Sequence, residues 1–345
     1  MAASRDSVSP AVLDFLTRPD SYPDRPTTVE VVETHFAWVF LSREFVYKLK
    51  KPIRFRGLDL TTIAARRANC ELEVALNRRL SDGVYVGVTP LGLRGSELVL
   101  DGPGAPIEWL VKMRRLPAER TLDREARDGT IRDADLVRLV DRLCTYYGRA
   151  ERAPWTPAEY RRALEMRSAQ YGAELRALAL GPGVAAHIHE LTAAQSRFIE
   201  EHGTRLEARM ASGRVVDAHG DLRPEHVFLG DPIQIIDCLE FSSELRLLDT
   251  AEEVSFLALE LERLGQGAVG ETLVGLYRRR GADPVEPELL GFYRSMRALV
   301  RAVLAALHVA DARADARERW HTRTAWYLDA ARRGLVHASA CVRLG

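Results

Sequence analysis

Hydrophobic residues are spaced in two different ways along this chain. Up to about residue 117 they fall mostly in short β-branched and aromatic runs, and from about Asp133 they recur every three or four positions. The early pattern predicts a short helix over Ser9–Thr17, closed by Pro19, and then the strands TVEVVET, HFAWVFL and EFVYKLK. Ser42-Arg43 makes a tight connection between the last two. A helix follows over about Thr61–Leu80, with apolar positions Ile63, Cys70, Val74 and Leu76, and then the strand-like runs VYVGVTPL, SELVLDG and IEWLVKMRRL. Beyond Asp133 the segments DADLVRLVDRLCTYYG, PAEYRRALEMRSAQYGAELRAL and a long run around 184–210 read as helices. One stretch interrupts them: HVFL and IQIID flank Gly230-Asp231-Pro232 as a hairpin, and helices resume at about Leu247. Strand runs followed by helix runs predict an α+β fold, not a doubly wound sheet. The expected division is an N-terminal extension over 1–28, a β-rich part over 29–117 and a helical part over 118–345.

Composition narrows the classes of function. The 345 residues are 46% hydrophobic and 28% charged, enough for a sizeable core and incompatible with general disorder. Lys plus Arg equals Asp plus Glu at 49 each, so no global field recruits nucleic acid or an anionic membrane. Cys70, Cys144, Cys238 and Cys341 form no CxxC pair, which argues against a zinc ribbon or disulfide framework and for a reducing cytoplasm. The N-terminus lacks the apolar region of a secretory signal, and ALVRAVLAALHVA is broken by Arg301 and too short to span a bilayer. A soluble, cytoplasmic protein is expected.

The sharpest chemical signal is His219-Gly220-Asp221, with His226 five residues after the Asp and Asp237 beyond the hairpin. Phosphoryl transfer needs one carboxylate to take the acceptor's proton and oxygen-rich ligands to hold Mg²⁺ against the phosphates. The alternative for Asp221 alone is a turn residue. Upstream, period-two alternation in EFVYKLKK puts Val46, Lys48 and Lys50 on one strand face. A lysine there reaches phosphates if a helix carboxylate orients it, and Glu73 is the best candidate, with Glu71 in reserve. By themselves such lysines are also common as solvated edge protectors.

This order of strand lysine, helix glutamate, HGDxxxxH and an aliphatic-aliphatic-Asp strand resembles the aminoglycoside-phosphotransferase and choline-kinase branch of the protein-kinase-like fold. THFAWVFLSREFVYKLKKP, ELEVALNRRL and VYVGV resemble more closely an uncharacterised bacterial group within it, over roughly residues 10–310. Some members of that group are fused to a P-loop ATPase domain. GxxxxGK[ST] is missing from this sequence, so no such domain is expected in it. The resemblance implies a bilobal architecture with a small β-rich N-lobe and a large, mostly helical C-lobe. It further implies ATP as cofactor, with GTP left open, and Mg²⁺ with Mn²⁺ as the substitute. By the same resemblance Asp221, within the His219 motif, is the catalytic base and Asp237 the main metal ligand. Lys48, with Lys50 beside it, binds phosphate and pairs with Glu73, while Trp109–Arg114, including Met113, is the linker facing adenine. Asp249 matches a common family Asp, and also reads as a helix N-cap.

Two departures stand out. His226 replaces the Asn that most relatives use as second metal ligand, although macrolide phosphotransferases look similar here. Imidazole suits Mn²⁺ or Zn²⁺ better than Mg²⁺. GxGxxG is missing between the first strands, where ETHFAW stands instead. Only CLEFSSELR separates Asp237 from the next helical run, too short for a protein kinase's activation segment. The expected activity is therefore ATP-dependent phosphorylation of a hydroxyl on a small molecule, without nucleic acid or membrane. The alternative is a catalytically silent, nucleotide-binding or scaffold protein. Glu240, Glu244, Glu252 and Glu253 read as solvated charges before they read as a site for a cationic acceptor. Arg297 and Arg301 share a helix face and would bind an anionic acceptor or pair with buried carboxylates.

Overall fold

A computed structural model describes residues 8–55, 57–178, 180, 182–311 and 314–341; residues 1–7, part of the stretch read for a leader, fall outside this set. In chain order the elements begin α1 (Pro10–Thr17), β1 (Glu30–Glu33), β2 (Ala37–Leu41), β3 (Phe45–Lys50), β4 (Arg54–Phe55), β5 (Leu58–Asp59) and α2 (Ile63–Asn77). Next come β6 (Tyr85–Arg94), β7 (Glu97–Leu100), β8 (Ala105–Arg114), α3 (Leu122–Asp128), α4 (Asp133–Arg149), α5 (Pro157–Ala177), α6 (Pro182–Glu201) and α7 (Gly203–Ala211). The rest are β9 (Val215–Asp217), β10 (Val227–Phe228), β11 (Gln234–Ile235), β12 (Leu247–Asp249), α8 (Thr250–Arg263), α9 (Gly267–Arg280), α10 (Pro287–Asp311) and α11 (Ala314–Cys341). The chain divides into two compact units. One is the chain up to Asp128 together with Glu225–Leu245, and the other is Gly129–Pro224 with Arg246 onward.

The first unit is built on an antiparallel sheet of order β1-β2-β3-β8-β6-β7. Both of its faces are covered, as alternation along the strands requires. On one face Tyr47, Leu49 and Leu110 pack with Val12 and Leu16 of α1 and with Tyr22. On the other, Val111, Met113 and Tyr85 pack with Cys70 and Val74 of α2, and Val46 lies against them. Local chemistry fixes the ends. Ser9 accepts from the Ala11 N–H with Pro10 in the first turn of α1, and Thr62 accepts from the Ala65 N–H to start α2. The β2–β3 turn is held by Asp24, whose carboxylate accepts from the Ser42 hydroxyl at 2.9 Å and the Glu44 N–H at 2.8 Å.

The expected hairpin forms, with Val227 opposite Ile235 and Phe228 opposite Gln234. It belongs to the first unit, where the Ile235 N–H donates to the Leu80 carbonyl at 3.1 Å and Leu229 N–H to the Arg120 carbonyl at 2.8 Å. IEWLVKMRRL forms a strand as expected: Trp109–Arg114, the stretch that the resemblance assigns to the linker, lies in β8, between β3 and β6.

In the second unit every residue of α8 from Thr250 to Leu261 is buried, so this helix is an axis around which others pack. Helices do not resume at Leu247: Leu247–Asp249 first pairs with Val215–Asp217 as a short antiparallel ribbon. Asp249 caps α8, accepting from the Ala251 N–H at 2.8 Å, as its N-cap reading anticipates. It also receives Arg209, at 2.7 and 2.6 Å, and that guanidinium bridges to Asp283 as well. Among the described residues no helix is long and apolar enough to cross a membrane.

Arg209 is 8% exposed and ties α7 to the start of α8 and to the chain after α9. Removing it leaves the buried Asp249 without its cation and Asp283 with only Arg214 at 3.9 Å, so Arg209→Ala is expected to lower stability by about 3–5 kcal/mol in urea denaturation. Arg209→Lys, which keeps the charge but not the planar fork, is expected to lose less.

Candidate functional site

Within the first unit, the α2-facing side of β3 carries two lysines, and both end on one carboxylate. Lys48 Nζ lies 3.0 Å from Glu73 Oε1, and Lys50 Nζ contacts Glu73 Oε2. Glu73 is fully buried, so its charge persists only because two cations compensate it. Each lysine has a second carboxylate: Asp237 Oδ1 at 2.8 Å from Lys48 and Glu240 Oε1 at 2.5 Å from Lys50. Glu71, the reserve candidate, lies on the surface, paired with Arg67 at 2.9 Å.

Asp237 is delivered by backbone chemistry. It has φ of 63°, the left-handed region that an Asp enters more readily than most side chains. Its N–H donates to the Tyr85 hydroxyl at 3.2 Å, and the next N–H, of Cys238, donates to Asn77 Oδ1 at 2.9 Å. The strand end is thus pinned to β6 and α2. His226 Nε2 lies 3.5 Å from Asp237 Oδ2, and the Ile236 N–H donates to the His226 carbonyl at 3.0 Å. The two predicted metal ligands are neighbours, though no group of three or more His, Cys, Asp or Glu able to hold a metal occurs among the described residues. Met113 is 7% exposed and packs in the cluster of Val111 and Tyr85 on the α2 side of the sheet.

The ionisation of these groups follows from their setting. For Lys48 burial opposes the charge, but Asp237 and then Glu73 outweigh it and hold the ammonium well above its ordinary range. Burial likewise opposes ionisation of Glu73, and Lys48 and Lys50 together still pull its carboxyl down. Asp237 is surrounded closely, with 45% of its side chain open to solvent. Burial again acts against its ionisation, and Lys48 followed by His226 reverses that, keeping the carboxyl far below the usual carboxylate range.

The turn between β1 and β2, where a glycine loop is missing, is closed by aromatic rings. Phe36 stacks on Phe241 at 5.3 Å between centroids, and Phe55 meets Phe36 edge-on at 5.2 Å. The Thr34 hydroxyl accepts from the Ala37 N–H at 3.0 Å, tightening the tip.

In the second unit the HGD motif follows β9. Gly220 has φ of 85°, which a side chain would strain. Its peptide groups are gripped from both sides: the Gly220 N–H donates to Glu253 Oε1 at 2.7 Å, and its carbonyl accepts from Arg297 Nη2 at 2.8 Å. His219 is fully buried, and its Nδ1 accepts from the Asp221 N–H at 3.3 Å. It shapes the loop. Asp221 has 24% of its side chain exposed and lies 3.5 Å from Arg223 Nη1. Glu253 Oε2 accepts from the Tyr147 hydroxyl at 2.8 Å, and burial raises its pKa despite these donors. Burial lowers the Arg297 pKa, although Glu252 and Asp221 act the other way; its guanidinium lies 4.2 Å over the Phe256 ring.

Glu252 and Glu253 are therefore not solvated charges. They are 1% and 0% exposed, with Glu252 paired to Arg167 at 2.9 Å, so neither is available to a cationic acceptor. Sequence reasoning missed Tyr85, Asn77 and Glu253 as supports. A signal existed for Glu253: VSFLALEL leaves no polar face on its helix, so charges within that helix must be buried.

No protein-family model matches the chain. An uncharacterized protein of Mycobacterium tuberculosis is 30% identical over 302 residues, 86% of this chain and 59% of its own length. Its Mycobacterium bovis counterpart matches equally, so the chain spans about 59% of the length of the curated relatives it matches. Among solved structures, a choline/ethanolamine kinase family protein of Mesorhizobium loti gives a TM-score of 0.55 at 15% identity, covering 96% of this chain and 99% of that one. Choline kinase of Cryptosporidium parvum gives 0.55 at 10% identity, with 93% and 95% covered. A thermostable mutant of an aminoglycoside phosphotransferase gives 0.52 at 11%, with 88% and 94% covered. The chain has the protein-kinase-like fold of these proteins.

Glu73→Gln is expected to cost about 3–5 kcal/mol at neutral pH, because it leaves two buried lysines short of a counter-charge. The sign with pH follows from the depressed carboxyl of Glu73: its contribution is present above the unfolded value of about 4.3 and is lost as pH falls. The wild type is expected to lose stability below about pH 4 more steeply than Glu73→Gln, measured by denaturation between about pH 3 and 7.

Proposed function

We propose that this chain, which shares the fold of choline/ethanolamine kinases and aminoglycoside phosphotransferases, transfers the γ-phosphoryl group of ATP to a hydroxyl of a small molecule. The observation that carries the reading is the Lys48 ammonium, held between a fully buried Glu73 and the open carboxylate of Asp237. A lysine so placed and permanently charged suits binding to phosphate oxygens. Asp237 and His226 fit a divalent cation, since such ions near nucleotides take one or two protein ligands and complete their shell with phosphate oxygens and water. When bound, the cation supplies neutralisation of the phosphate charge.

The residues of the chain divide the remaining work. Lys48 orients the nucleotide's phosphates and Glu73 holds Lys48. Asp221 accepts the proton of the attacking hydroxyl, a role worth roughly 10²–10⁴-fold in rate. His219, Glu253 and Arg297 act through the loop, fixing the Gly220 peptide and thereby the direction of Asp221. Positioning and charge neutralisation carry most of the acceleration, because phosphoryl transfer asks little covalent help from the protein.

A second reading, a nucleotide-binding protein without turnover, is favoured by the aromatic closure of the β1–β2 turn, where backbone amides of a glycine loop would otherwise cover phosphates.

Purified protein is to be assayed for ATP turnover with Mg²⁺ and with Mn²⁺ against pooled sugars, amino alcohols and hydroxy acids. Acceptor-dependent turnover is expected, with Asp221→Asn reducing it at least about 100-fold while retaining the nucleotide-induced rise in melting temperature. Undiminished turnover in that variant would remove Asp221 from the mechanism. Nucleotide binding without turnover against any acceptor would establish the second reading. Because imidazole favours softer ions, His226→Asn is expected to shift the ratio of Mg²⁺- to Mn²⁺-supported turnover toward Mg²⁺.

A further inference from the structure

In the second unit α6 and α11 leave a groove of about 1050 Å³ between them. Much of its lining is apolar: Leu191 and Ala194 come from α6, and Leu328, Leu335 and Val336 from α11. Leu191 and Leu335 are 7% and 8% exposed, whereas Val336 is 58% exposed. An open apolar groove of this size marks an interaction surface.

The charged residues of the lining narrow down what covers it. His187 apart, they are two carboxylates, Glu190 and Asp329, and two guanidinium groups, Arg197 and Arg332. These four carry no net charge, so the groove offers no field to recruit a polyanion or a polycation. Asp329 and Arg332 pair with each other at 3.1 Å. Glu190 and Arg197 are both exposed, and neither has an ion pair among the described residues.

Glu190 and Arg197 are seven positions apart on α6, so they share one face and stand about 10.5 Å apart along the axis. That is too far for a bond between them. It suits a second α6 laid antiparallel across the first. A two-fold axis through the midpoint, between Ala193 and Ala194, sets Glu190 of each copy against Arg197 of the other. A parallel copy in the same register would set like charge on like. The two alanines at the crossing point keep the side chains there short, which allows the helices to approach closely. Stacked in this way, α6 and α11 of the two copies make a four-helix arrangement with the groove lining as its core.

We propose that this chain forms an isologous dimer through the α6–α11 groove, held by reciprocal Glu190–Arg197 pairs and by burial of the apolar lining of both copies. The assignment uses no residue of the phosphotransferase reading and stands or falls apart from it.

The test is the mass of the full-length protein in solution, measured by sedimentation equilibrium over a dilution series. The wild type is expected at twice the 38.6 kDa of the chain, dissociating on dilution. Arg197→Glu confronts each Glu190 with a second carboxylate and is expected to weaken association at least about tenfold. Glu190→Arg is expected to act alike. The double variant Glu190→Arg/Arg197→Glu restores opposite charges across the axis and is expected to recover most of the wild-type affinity. Both positions are exposed, so all three variants are expected to melt with the wild-type monomer, which separates a lost interface from a lost fold. A wild type that stays monomeric at every concentration would overturn the proposal and leave the groove to a partner of another kind. So would a dimer indifferent to the single reversals, or single reversals that the double variant does not repair.

Discussion

A carboxylate with no access to water has to be matched by cations from its own neighbourhood, and in the first unit this requirement fixes both a strand register and a site. Glu73 on α2 receives Lys48 and Lys50 together. Both lysines reach it only if β3 presents its even-numbered residues to α2 and sends Tyr47 and Leu49 to the opposite face, against α1. A slip of one residue would bury two apolar side chains against a charge and put two ammonium groups into the apolar layer beside Leu16 and Leu110. The pairing that places Lys48 therefore also enforces the sheet. This is why the site lies on a paired interior strand and not on a loop, where the same lysine would spend its time in solvent.

The second unit answers the same requirement differently. Its central helix α8 is buried almost throughout and yet carries Glu252, Glu253 and Glu260. Each is matched separately: Glu252 by Arg167, Glu253 by the Gly220 N–H and the Tyr147 hydroxyl, Glu260 by Arg263 and Arg301. The first fastens helices together and the second holds the loop that aims Asp221. The third joins α8 to α10, and through the Tyr327 hydroxyl to α11. A single helix thus combines packing, loop support and ties to its neighbours along its length.

Much of this was legible in the sequence wherever the deciding contacts are local or periodic. Alternation in EFVYKLKK gives the correct strand faces, and the pattern around Gly230-Asp231-Pro232 gives the hairpin. The spacing of Lys48, Glu73 and Asp237 picks out residues that the fold brings into direct contact. What escaped depends on partners far away in the chain. Val215–Asp217 and Leu247–Asp249 are three-residue strands that exist only because they pair across about thirty intervening positions, and no window of sequence shows that. The glutamates of α8 look like surface charges until the apolar residues on every side of them are counted as evidence of burial.

The first unit is assembled from two stretches of chain separated by nearly a hundred residues. Asn77, Leu80, Lys48 and Lys50 find partners in Cys238, Ile235, Asp237 and Glu240, all from the second stretch. During synthesis, the sheet and α2 emerge first, with polar groups at their junction that Glu73 satisfies only in part. A ribosome has to deliver residue 240 before the earliest lysines have all their counter-charges. A fragment cut at Asp128 would therefore contain a complete sheet and an incomplete electrostatic interior, and would be prone to aggregation for a reason that its hydrophobic core does not reveal.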